Sequence, residues 1–390
     1  MKSVRSLVDA LPPLKLNDAE EMELQSLAEN FVLGNMEEYV EISERVRKSG
    51  KTPREWRELR QRGGIRVYTQ RSQKNKSEPD GADPSVPSLL LLGTIQGTLN
   101  DVMYAVSASN NEDIKVKSKF VQDGIVDAKV LHEVVRPTEE DPYHHVNVTW
   151  RLYAVPENRD YICVEASGIA ITTEGESIGY HIAHSVGFPQ LTPFQNADVE
   201  RGNLSVCALY RQRAPNSVEC YVHGFFDFQE DDTVLSAISM NSMANQWLSF
   251  SQLIECAEMK KLVWCLRRKS ARISDTSSST SSSFDLPITQ RRKSSAAVSR
   301  HCRVCTKGFG LLGSKKTCQV CGQMVCSKCH VKRTVCTVKP WDNQAILEKK
   351  LPVCGPCIHD ILKGNALEVA RDEVHLRVYT RDSDWWSMSE

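Results

Sequence analysis

Eight cysteines in four Cys-x-x-Cys pairs dominate the last quarter of the chain. They run Cys302-x2-Cys305-x12-Cys318-x2-Cys321-x4-Cys326-x2-Cys329-x24-Cys354-x2-Cys357. A Cys-x-x-Cys turn sets two sulfurs on one side of a tight bend, within reach of a zinc ion at about 2.3 Å. Two pairs complete a tetrahedral site, so four pairs imply two zinc ions. Redox Cys-x-x-Cys motifs come singly beside a βαβ pattern, which is missing here. Four thiolates leave no position open for water or substrate, whereas catalytic zinc keeps one. The two metals are therefore expected to be structural. A segment of roughly 60 residues with few large apolar side chains needs them, because burial alone holds too little. Four residues separate the second and third pairs, which makes these two awkward partners for one ion. The alternative is interleaving, first pair with third and second with fourth. Cys336 and His330 are then spare, and His301 and His359 take no role.

The rest of the 390-residue chain is ordinary in composition, 41% hydrophobic and 25% charged, with zero formal net charge. Its length fits two or three domains. The first residues lack the apolar core of a signal peptide, and no run of 18 apolar residues is present. The expectation is a cytosolic protein with reduced thiols. The five cysteines outside the block, Cys163, Cys207, Cys220, Cys256 and Cys265, then read as small buried hydrophobes. Residues 274–283, "SDTSSSTSSS", hold seven serines and two threonines and cannot build a core. A disordered linker is expected over 269–299. Its "RRKSS" places basic residues before Ser294 and Ser295, as a basophilic kinase would require.

Ahead of the linker, residues 18–46 carry apolar positions at helical spacing, with Asp18 as a start signal. A short second helix is expected after the break at 48–56. Strand-like runs follow at 64–70, 88–98, 125–135, 145–155, 160–171, 204–213 and 219–229, rich in β-branched and aromatic residues. A helical interruption is expected at 100–109. The series ends in one long amphipathic helix over 234–267, with Met240, Met243, Trp247, Phe250, Ile254 and Ala257 on one stripe. A meander followed by such a helix has one economical solution: the sheet curls around the helix. The fold class expected is α+β.

This order of elements over residues 15–268 resembles the START-like lipid-binding domains, the helix-grip architecture. The resemblance implies a cavity between sheet and helix for one lipid or sterol, lined by Met240, Met243, Trp247 and Phe250. The same stripe has a second reading as plain core.

The cysteine block, residues 300–362, resembles the FYVE zinc finger. The resemblance rests on the twelve-residue spacer, Phe309 four residues after the second cysteine, Gly322 after the fourth, and the register of "CGQMVCSKC". It implies a cross-braced pair of zinc ions, held by Cys302, Cys305, Cys318, Cys321, Cys326, Cys329, Cys354 and Cys357. It also implies docking on membranes that carry phosphatidylinositol 3-phosphate. The departures fall on that second function. The family's paired histidines are replaced in "SKKTCQ" by Lys316 and Thr317, and Gln319 stands where it has an arginine. Pro352 stands in place of another arginine, and the family's Trp-x-x-Asp has no counterpart before Cys302. The scaffold carries over; selectivity for the 3-phosphate does not. A membrane role still suits the segment. Residues 301–360 hold ten Lys and Arg against three Asp and Glu, a local net of +7. Lys315 and Lys316 fall in the lipid-facing part of the motif, and Leu311 and Leu312 in the family's inserting loop.

The function expected is a non-catalytic, peripheral lipid binder directed to endosomal or other anionic membranes, with no nucleic-acid partner, since aromatics are not interleaved with the basic residues. The competing readings are a protein-interaction scaffold with a filled pocket and a RING-like ubiquitin ligase module. Residues 363–390 form a tail with a strand-like piece and two tryptophans, Trp385 and Trp386.

Overall fold

The computed structural model describes residues 4–382, apart from 51, 72–86, 155–157, 196–197, 229–232, 276–299, 310–314 and 340–341. Two helices lead, α1 (Val4–Ala10) and α2 (Asp18–Ser49). The cap of α2 is Asn17 rather than Asp18. Its side chain accepts from the backbone of Ala19 and Glu20, while Glu20 reaches back to the Asn17 N–H. Gly50 ends the helix in the left-handed region at φ +65°.

The large module is one sheet. Strands β1 (Trp56–Arg62), β2 (Ile65–Gln70) and β3 (Ser88–Ile95) are followed by α3 (Leu99–Val106) and α4 (Asn111–Val121). Then come β4 (Ile125–Val135), β5 (His145–Tyr153), β6 (Arg159–Ile171), β7 (Ser177–Ser185), the two-residue β8 (Glu200–Arg201), β9 (Asn203–Ala214) and β10 (Ser217–Asp227). The spatial order is β1-β2-β3-β10-β9-β7-β6-β5-β4, antiparallel throughout, with β8 added parallel to β6. The mixed α+β class is the one expected.

The pleat divides the sheet's side chains between two cores. On β9 and β10, Ala208, Tyr210, Cys220 and Val222 face one layer; Cys207, Leu209 and Tyr221 face the other. The second layer is closed by α2 through Leu24, Ala28, Val32, Tyr39 and Ile42. The first is closed by the helices after the sheet. These differ from the single helix expected. Helix α5 (Thr233–Trp247) and α6 (Leu253–Asp275) are separated by a 3₁₀ turn over Leu248–Gln252. Met243, Ala244, Trp247, Leu253, Cys256 and Ala257 face the sheet across that break. Helix α6 runs to Asp275, so regular structure extends past residue 269, where the linker was expected to begin.

Two further expectations are corrected, and two elements were not foreseen. Residues after 53 form strand β1, not a second helix, because Trp56 and Leu59 find a sheet edge to pack on. Helix α4 and strand β7 carry no strong local signal and owe their form to the neighbours on either side. The tail is not strand-like. Residues Ala366–Asp382 form helix α8. Trp385 and Trp386 lie outside the described residues, as do Ser294 and Ser295.

The small module holds β11 (Lys315–Thr317) paired with β12 (Met324–Cys326), the hairpin β13 (His330–Lys339) and β14 (Asp342–Cys354), and α7 (Gly355–Lys363). It does not stand apart. Val335, Cys336, Ile361, Ala366, Val369 and Ala370 are buried in the same core as Leu262 and Val263 of α6. Hairpin strand β13 lies against α4 and α6, and α8 against α3 and α6.

Candidate zinc centres and lipid cavity

The cysteines gather into two groups, Cys302, Cys305, Cys326 and Cys329, and Cys318, Cys321, Cys354 and Cys357, each with all sulfurs within 4.8 Å of one another. This is the interleaved partnering. Zinc–sulfur bonds of about 2.3 Å in tetrahedral geometry require sulfurs roughly 3.8 Å apart. The Cys305 and Cys326 sulfurs are 3.8 Å apart, and those of Cys321 and Cys354 are 3.9 Å apart. Donor set and spacing both fit zinc. Local folding explains the placement. Thr306, at φ +57°, and Gly322, at φ +75°, turn the chain back after the first and second pairs. Cys326 N–H donates to the Cys302 sulfur at 3.4 Å, and Cys354 N–H to the Cys318 sulfur at 3.3 Å. Burial raises the Cys302 thiol's pKa, but backbone N–H groups of Cys305, Cys326 and Val304 outweigh it and hold the pKa near 6. The same balance holds Cys318 near 7. Cys329 is pushed up to about 12, first by its hydrogen bond with Cys326. Four thiolates this close repel one another, and a divalent cation relieves that repulsion. The small module holds two structural zinc ions.

Lys315 and Lys316 are exposed on β11, with the Lys315 ammonium 5.7 Å from the centre of the Phe309 ring. Leu311 and Leu312 lie outside the described residues.

In the large module a cavity of about 90 Å³ lies between the sheet and the α5–α6 segment. Met243, Trp247 and Phe250 line it, as does Leu253 at the start of α6. Met240 is buried in the same layer without reaching it. The opposite wall is sheet, with Leu204, Val206, Ala208, Tyr210 and Phe226. One end is polar. Lys117 and Val121 of α4, Asp123, Arg151, Tyr153, His181 and Gln246 close it.

The charges there are paired. Arg151 donates to the Glu165 carboxylate, which also accepts from Thr149, and Lys117 lies 4.0 Å from Asp123. Desolvation pulls the Lys117 pKa down, with Asp123 opposing. Burial holds His181 neutral, helped by the charges of Lys117 and Arg151. Three buried polar atoms of the lining residues have no hydrogen-bond partner among the described residues: Arg151 Nε, Tyr210 OH and Gln246 Oε1. The lining thus carries a donor, a hydroxyl and an acceptor without partners. Sequence reasoning missed this end. Its one legible signal was a charged residue inside an apolar strand, Arg151 in "HVNVTWRLY" and Glu165 in "RDYICVEASGIAI".

Comparison with known proteins supports the small module. Residues 292–363 match the family model of the FYVE zinc finger. The curated proteins contain no match. Among solved structures, human StAR-related lipid transfer protein 5 is 14% identical over 57% of this chain and 96% of its own, with a TM-score of 0.38. Human STARD10 is 15% identical over 62% of this chain and 90% of its own, with a TM-score of 0.39. At such values the reading of the large module rests on its own geometry. Among the described residues, no helix is long and apolar enough to cross a membrane.

Proposed function

We propose that the chain is a non-catalytic, peripheral lipid carrier. The large module takes one apolar molecule with a polar head, and the zinc-held module docks on anionic membrane. The observation that carries this reading is the cavity between the sheet and the α5–α6 segment, largely apolar, with unpartnered polar atoms among its lining residues. A polar head placed there would give Arg151 Nε and Tyr210 OH the partners they lack. Ligand-sized pockets span roughly 300–1,000 Å³. The cavity here, at about 90 Å³, would have to widen to take such a molecule. The 3₁₀ turn between α5 and α6 is the natural place for it to widen. The eight cysteines ligate the two zincs, and Lys315 and Lys316 meet the lipid headgroups; Leu311 and Leu312, outside the described residues, are assigned to membrane contact from the sequence alone. Endosomal membrane bearing phosphatidylinositol 3-phosphate is the target the small module's family favours. The missing histidines make charge, rather than the 3-phosphate, the main determinant.

Native mass spectrometry of the full chain purified from cells tests the carrier. Two zincs and one retained lipid are expected. Flotation with phosphatidylserine-containing vesicles tests docking. A basic side chain near an anionic surface contributes about 1 kcal/mol, so Lys315→Ala with Lys316→Ala weakens binding roughly 30-fold with zinc content unchanged. The small volume of the cavity favours a second reading, a protein-interaction scaffold with a filled core. Zinc with no lipid under any gentle condition selects it.

A further inference from the structure

The walls of the cavity that could move are not free. Helix α4 contributes Lys117 and Val121, the 3₁₀ turn Ser249 and Phe250, and α6 Leu253. Both α4 and α6 carry the zinc module on their other side. Strand β13 buries Val335, Cys336 and Thr337 there.

The polar contacts concentrate on α6. Lys261, only 2% exposed, donates to Asp101 of α3 at 2.8 Å and to the Gly364 carbonyl at 3.0 Å, where α7 ends. One turn on, Trp264 Nε1 donates to Asp372 of α8 at 2.9 Å, and Arg268 pairs with the same carboxylate at 3.3 Å. The Arg268 guanidinium also sits 5.1 Å from the Trp264 ring centre. Cys354 and Cys357 belong to a cysteine group and flank the start of α7. The metal-held turn, α7 and the Lys261 bond are therefore continuous along the chain.

We infer that the zinc module latches the cavity: α6 and α4 cannot part from the sheet until α7, α8 and β13 release them. Ligand exchange is thereby tied to the state of the module that meets the membrane. This inference rests on the carrier reading for its purpose, but not for its test.

The test is hydrogen exchange on the full chain. Helix α5 and the 3₁₀ turn, residues 233–252, pack on β1–β3, so their amides report opening of the cover rather than mere exposure of the latch. A hydrogen bond to a charged group is strong enough that Asp372→Ala should speed exchange across 233–252 about tenfold. Amides of α2, on the far side of the sheet, should keep their wild-type rates. Trp264→Phe removes one of the Asp372 bonds with little change of shape. It should give a smaller rise in the same amides, and keeps the test decisive if Asp372→Ala loses α8 altogether. Faster exchange confined to α6, α7 and α8, with 233–252 at wild-type rates in both variants, overturns the latch. Absence of lipid from the purified wild type overturns the carrier reading instead and leaves the exchange result standing.

Discussion

His145 shows how burial sets behaviour at the scale of one residue. It is 1% exposed, with Nδ1 2.9 Å from Ser167 Oγ and 3.4 Å from Ser107 Oγ. Desolvation, then the neighbouring His144, lowers its pKa from 6.5 to about 3. Between those values the unfolded chain binds a proton that the folded chain refuses. The histidine's contribution to stability is complete above pH 6.5 and is lost as the pH falls toward 3, at up to about 1.4 kcal/mol per pH unit. Urea titrations of His145→Gln should show a flatter acid limb than wild type. The cysteines allow a sharper test. Cys305→Ser with Cys326→Ser strikes one group twice and should leave one zinc per chain by native mass spectrometry. Cys318→Ser with Cys326→Ser strikes both groups and should leave none. Equal losses in the two doubles would contradict the interleaving. At this scale the cysteines were legible, because ligand chemistry dictates both residue type and spacing. Met243, Trp247 and Phe250 were legible from their stripe. Tyr210 and Gln246 were not, since one hydroxyl or amide among strand and helix residues looks like any other until the sheet curls.

Elements were read well where a local period was strong. Strand β4 occupies Ile125–Val135, the run expected from its composition, and β5, β6, β9 and β10 begin within two residues of expectation. Failures came where tertiary packing overrides local preference. Strand β1, "WRELRQR", has the composition of an exposed helix; only the bulged pairing with β2 makes it a strand. Helix α8 looked like a strand because "EVHLRVY" alternates apolar and polar residues. It folds as a helix because Val369, Ala370 and Val374 are buried against α3 and α6. One glycine shows how tightly the sheet is drawn. A Cβ on Gly93 would lie 2.2 Å from the Gly64 carbonyl oxygen, which is backbone and cannot swing aside. Gly93→Val should therefore cost at least about 2 kcal/mol, read as a lower urea midpoint with an unchanged slope.

At the scale of the whole molecule the sequence was least informative. A serine-rich linker reads as a tether, and composition says nothing of whether its two ends are docked by other surfaces. Here they are. Val335, Ile361 and Ala366 share a core with Leu262 of the large module. Metal removal should consequently reach far beyond the cysteines. Metal binding is folding free energy for a module this small, and Lys261 and Asp372 connect that module to α6. Chelation should lower the melting temperature of the sheet itself, followed by near-ultraviolet circular dichroism of Trp150, which is fully buried between strands and α2. An unchanged sheet transition after zinc release would mean that the modules melt independently.

Docking of the two modules also gives the molecule a heading. Lys315 and Lys316 project from a body that includes the sheet, so a bilayer that captures them dictates the compass direction of α5 and the cavity beneath it. A tethered pair would swivel; a shared buried core opposes that here. On a supported anionic bilayer, neutron reflectometry should resolve a single protein layer of one thickness. Every molecule in it would face the same way, as arrows do in a quiver.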